Sequence, residues 1–198
     1  MKILDNINHT VREDLQDTMQ KGSRVSIAAA CFSIYAYQEL KKQLEEIAEL
    51  RFIFTSPTFV QENTPKERRE FYIPKLTREK SLYGTEFEVR LRNELTQKAL
   101  AKECADWVRR KVKFRSNVSG EQMPGFMTVG ESSYMPISGF TTVDLGCERG
   151  NNAYYPVQRT EAFENGRYFL SLFDEIWNDS SRLQDVTDIV LQSISTAY

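Results

Sequence analysis

The chain has 198 residues, with 26 Lys and Arg against 28 Asp and Glu, a net charge of −2, and 40% hydrophobic and 12% aromatic residues. That apolar content supplies a core and excludes wholesale disorder, and no apolar run approaches the roughly 20 residues of a membrane helix. The near-neutral balance excludes a globally basic nucleic-acid binder and leaves room for a local basic face.

In chain order, Thr10-Val11-Arg12-Glu13 fits a capping box, with Val11, Leu15 and Met19 four apart, so a first helix runs to Gly22. Arg24 to Cys31, rich in Val, Ile and Ala, reads as a strand. Ser33 caps a helix whose apolar face is Ile34, Tyr37, Leu40, Leu44 and Ile47, and Arg51 to Thr55 is the next strand. A strand, helix and strand joined by short connections form the parallel crossover unit of an α/β sheet. Residues 61–80, polar and interrupted by Pro65 and Pro74, read as an excursion with partial helix. Asn93 to Lys111 is a strong helix, and Lys111 to Arg115 alternates with period two, a half-exposed strand with its basic side outward. Phe126 to Val129, Ile137 to Leu145 and Ala153 to Val157 are further strand candidates, followed by helices over about 161–178 and 183–196. The fold expected is one α/β domain over residues 1–198, a mixed sheet flanked by helices in an αβα sandwich.

Several chemistries lack their residues. None of the nine glycines precedes a lysine, so the phosphate-cradling GxxxxGK[ST] loop is absent. The single histidine, His9, has no Cys or second His at metal spacing, which leaves no base for Ser or Cys nucleophiles and no zinc site. Glu86-Phe87-Glu88 and Asp144 with Glu148 are the nearest approaches to a carboxylate–magnesium set, and ordinary surfaces explain both. Cys31, Cys104 and Cys147 are far apart and show no CxxC pattern, so they read as reduced thiols of a cytoplasmic protein. No cofactor or metal is expected.

Charge is uneven. Residues 90–115 carry nine basic and three acidic groups, and residues 161–198 are net −5. The basic band ends in Arg109, Arg110, Lys111, Lys113 and Arg115, a candidate phosphate-facing set. A solvated helix face paired with the acidic C-terminal segment is the plainer alternative.

The strand Val25 to Phe32 running through Ser33 into a helix resembles the opening of the phospholipase D-like domains that precede bacterial helicases. Gly125-Phe126-Met127-Thr128-Val129, Ile137-Ser138-Gly139-Phe140-Thr141-Thr142 and the Phe169 to Trp177 helix are similar to later parts of that family. Leu91 to Val108, with Gly139 to Asn152, resembles the N-terminal region of bacterial Snf-type helicase-like proteins carried on mobile elements. The resemblance implies a phospholipase D-like fold, an ATPase motor beyond Tyr198, and a DNA partner. Active members use His-x-Lys-x4-Asp, and the aligned positions here are Met123, Gly125 and Gly130. A thioether and two glycines neither attack phosphorus nor neutralise its oxygens.

Three roles follow as expectations. The first is a non-catalytic domain that binds DNA phosphates through the basic band, with Phe126, Tyr134, Tyr154 and Tyr155 available to stack bases. The second is a homodimerisation or motor-docking domain without DNA binding. The third, which no motif supports, is a nuclease.

Overall fold

The computed structural model describes residues 1–57, 94–150 and 154–196. The excursion at 61–80 and the Glu86–Glu88 pair lie outside them.

The described elements are β1 (Lys2–Leu4), α1 (Val11–Thr18), β2 (Arg24–Ala29), α2 (Ile34–Glu39), α3 (Lys41–Glu46), β3 (Glu49–Phe54), α4 (Glu94–Lys111), β4 (Val112–Asn117), β5 (Phe126–Val129), β6 (Ser132–Met135), β7 (Val157–Thr160), a 3-10 turn (Ala162–Glu164), α5 (Gly166–Trp177), β8 (Leu183–Asp185) and α6 (Thr187–Thr196). The eight strands form one mixed sheet in the order β1-β7-β6-β5-β2-β3-β4-β8. β2, β3 and β4 are parallel, and every other pairing is antiparallel. The chain is therefore α/β with a mixed sheet flanked by helices.

Alternation along the strands sends one side chain to each face. On one face Val25, Ile27, Ala29, Leu50, Phe52, Phe54 and Phe114 pack with side chains from α1, α2, α3, α4 and α6. Phe32 lies at the centre, its ring 5.3 Å from Phe114, 5.6 Å from Phe52 and 6.3 Å from Trp107. Trp107 Nε1 donates to the Leu44 carbonyl at 2.8 Å, so the indole is buried without an orphan donor. On the other face Ala28, Ile53 and Phe126 meet Phe173 and Trp177 of α5.

The caps behave as their chemistry requires. Thr10 Oγ1 accepts from Glu13 N at 3.1 Å and Ser33 Oγ from Tyr35 N at 3.1 Å. Other boundaries differ from expectation. The helix expected over 34–47 divides at Leu40 (φ −118°, ψ 17°) into α2 and α3. No strand forms over 137–145, because Thr141 Oγ1 accepts from Asp144 N and Leu145 N bonds the Thr141 carbonyl, winding the chain into a turn. Its apolar residues Ile137, Phe140 and Leu145 still reach the core. The strand expected over 153–157 instead occupies 157–160. The helix expected from 161 starts at Gly166, after Asn165 takes φ +81°. The segment from 183 is a short strand before it is a helix. Among the described residues, no helix is long and apolar enough to cross a membrane.

Candidate functional site

Ligands of α/β sheets gather at the carboxyl ends of parallel strands. Here that region holds the ends of β2 and β4 and the residues entering β5, which runs antiparallel to β2. Met123 and Gly125 both precede β5, whereas Gly130 follows it.

None of these three positions presents a reactive group. Met123 packs against the apolar cluster under α5. A Cβ at Gly125 would lie 1.8 Å from the Ile137 carbonyl oxygen, so backbone occupies the space that any side chain, lysine included, would need. The Gly125 carbonyl itself accepts from Ile137 N at 3.0 Å, which fixes that approach. Gly130 turns the chain between β5 and β6 at φ +58°, a conformation that suits glycine.

Beyond the end of β2 lies a buried polar knot. Asp144, about 9% exposed, accepts from Thr141 Oγ1 at 2.7 Å and from the Tyr155 hydroxyl. Burial pushes its carboxyl above the ordinary range, against the bonds from Tyr155, Thr141 and Gly139 N. A Cβ on Gly139 would meet Cys31 Sγ at 2.6 Å and Asp144 Oδ2 at 2.8 Å, so thiol and carboxylate close on one glycine. With Asp144 bonded both from within the loop, by Thr141, and from outside it, by Tyr155, the knot acts as a clamp on residues 138–146. Sequence reasoning did not find it, although the Thr-x-x-Asp spacing of Thr141 and Asp144 is its one local sign.

A shallow, open hollow lies beside it, lined by Asp5, Asn6, Val143, Glu148, Arg149 and Tyr155 among others. Asp5 is committed there to the backbone N–H groups of His9, Ile7 and Asn8, which hold its carboxyl down at about 2. Among the described residues no group of three or more His, Cys, Asp or Glu is arranged to hold a metal ion.

The basic band divides into two kinds of cation. Lys111 Nζ donates to the carbonyls of Glu45 at 2.5 Å and Ile47 at 2.7 Å, closing the C-terminal end of α3. Arg115 lies 4.1 Å over the Trp177 ring and donates to the Trp177 carbonyl. Both are folded into the structure. Arg109 and Arg110 remain about half exposed while pairing with Asp106 at 2.9 Å and Glu45 at 2.7 Å. Lys113 is exposed, on the opposite side of β4 from the buried Phe114.

Of the aromatics expected to stack bases, Phe126 is buried under α5 and Tyr134 is buried with its hydroxyl on Asp14 at 2.7 Å. Tyr155 is spent on Asp144, and only Tyr154, 85% exposed, faces solvent. No protein-family model and no curated protein matches the chain.

Proposed function

We propose that this chain is a non-catalytic accessory domain of a helicase-like DNA-processing protein, holding DNA by its phosphates. The observation that carries the reading is the contrast within one stretch of chain. Backbone fills the space at Gly125, the position that the resemblance aligns with the lysine of active enzymes, while Arg109, Arg110 and Lys113 reach the surface. Phosphate contacts need cations and no nucleophile, so binding survives where cleavage chemistry is missing. The partner of Arg109, Asp106, is an exposed carboxylate, and such a surface pair exchanges readily for phosphate, while Arg110 shares the partly buried Glu45 with the Tyr37 hydroxyl. Binding of this kind is tolerant of sequence, because base readout needs side chains aimed into a groove.

The test is fluorescence anisotropy of labelled single-stranded, duplex and forked DNA titrated with the chain. The expected result is binding that weakens at least tenfold in the combined Arg109→Ala, Arg110→Ala, Lys113→Ala variant, with no strand cleavage. Absence of binding to all three DNAs overturns the reading.

A further inference from the structure

We infer that the β1 edge of the sheet is a self-association surface at which a second copy of this chain pairs its own β1. Six large apolar side chains are exposed among the described residues: Met1 (68%), Ile3 (55%), Ile7 (53%), Tyr154 (85%), Phe163 (87%) and Tyr168 (62%). All six lie on β1, on the segments that flank β1 and β7, or on the first turn of α5. Pairing places Ile3 opposite Gln158 of β7. The Asn6 amide donates to the Tyr155 carbonyl at 2.9 Å, which sets Tyr154 near Ile7 at one end of β1. At the other end the Met1 amino group bonds Glu164, which sets Met1 beside the turn that carries Phe163. Apolar surface gathered in one region marks an interaction site rather than scattered exposure.

The backbone identifies the occupant as a strand. Among the described residues β1 has β7 on one side and no strand on the other, so its outer edge presents backbone N–H and C=O groups. Lys2 and Arg159 both reach the buried Asp14, at 3.0 and 2.7 Å, fixing β1 and β7 to α1.

Self-pairing fits this edge in three ways. An antiparallel partner on a two-fold axis at Ile3 faces three residues with three, leaving no overhang of unpaired backbone. It sets Ile3 against Ile3 and Lys2 against Leu4, so no like charges oppose one another. It also brings the Met1–Phe163 end of one copy to the Ile7–Tyr154 end of the other, apolar on apolar. The rings of Tyr154 and Phe163, at roughly 150 Å² or more each, supply about a third or more of the ~800 Å² per partner of a standard interface.

The inference goes beyond the nucleic-acid reading and fails separately from it, since the proposed phosphate contacts Arg109, Arg110 and Lys113 lie on α4 and β4, far from β1 in the sheet order. Sedimentation velocity across protein concentration tests it. The wild-type chain is expected to be dimeric at ~10 μM, and Ile3→Asp or Phe163→Ser to raise the dissociation constant at least about tenfold with unchanged circular dichroism. As a second measurement, Ile3→Cys is expected to form an interchain disulfide that neither wild type nor Asp185→Cys, on the opposite edge, forms. Facing residues of an antiparallel pair lie within the ~4.4–6.8 Å Cα separation that a disulfide spans. A wild-type chain that stays monomeric to ~100 μM overturns the inference. So does a dimer indifferent to both edge substitutions, or one that Ile3→Cys fails to link.

Discussion

Arg110 and Lys111 are adjacent in sequence and opposite in use. Lys111 turns inward onto two backbone carbonyls, while Arg110 stays half exposed on a surface carboxylate. The same contrast separates Lys113, which faces water, from Arg115, stacked on Trp177. Inward cations satisfy polar groups that would otherwise be orphaned or cover aromatic faces, so they act on stability. Outward cations sit in high dielectric, contribute little to the fold and remain free to meet a phosphate. A run of positive charge is therefore two populations, and only one of them stays at the surface.

Substitutions at the inward cations of the whole fold should be the most damaging. Arg159 is 19% exposed and pairs with Asp14, itself 2% exposed, at 2.7 Å. Arg159→Ala strands part of a buried carboxylate and is expected to cost about 3 kcal/mol in denaturant unfolding. The pH dependence sharpens the point. Burial alone would raise the Asp14 carboxyl, but bonds from Tyr134, Lys2 and Arg159 outweigh it and hold the group below its ordinary 3.8. A depressed carboxylate stabilises the fold above the unfolded-state value and loses that contribution as pH falls through the folded value. Arg159→Ala should therefore flatten the acid limb of the stability curve, read from unfolding midpoints taken at successive pH values.

Gly125→Ala places a methyl group against the Ile137 carbonyl and is expected to cost about 2 kcal/mol or more, measured the same way. A neutral result would mean that the space beside Gly125 is open rather than filled by the Ile137 backbone. Arg115→Ala should cost about 1–2 kcal/mol through the lost stack on Trp177, and Lys111→Ala about 1 kcal/mol through the uncapped carbonyls of α3. Arg109→Ala, Arg110→Ala and Lys113→Ala should each stay within about 0.5 kcal/mol in the same unfolding experiment. Equal losses at Lys111 and Arg110 would erase the distinction between the two populations.

Part of this was legible in the residues. Thr10 and Ser33 signal their caps, and β2 and β3 stand out because β-branched and aromatic residues crowd them. The parallel unit follows from the short connections between them. β1 and β6 were not legible, since three or four residues such as Ser132-Ser133-Tyr134-Met135 carry too little alternation to read. The 137–145 segment misleads because Ile137, Phe140 and Leu145 are core residues supplied by a turn rather than a strand. The basic band looks continuous because sequence hides the change of period at its centre. Up to Lys111 the side chains rotate with the helix, and from Val112 they alternate with the strand. Neighbouring charges consequently leave in different directions, and which carbonyl or ring receives each one is decided by α3 and α5, far away in the chain. The Asp144 knot was hidden for the same reason, since Cys31 and Tyr155 come to Asp144 from distant segments.

The most direct test of phosphate binding by the outward cations is the salt dependence of DNA affinity, measured for wild type and for the Arg109→Ala, Arg110→Ala, Lys113→Ala variant. Each phosphate contact contributes about 0.9 to the slope of log K against log salt on duplex DNA. The expected result is a steep wild-type slope that falls by about 2–3 in the variant, while Lys111→Ala leaves the slope unchanged. A slope that is the same in wild type and the triple variant would contradict it.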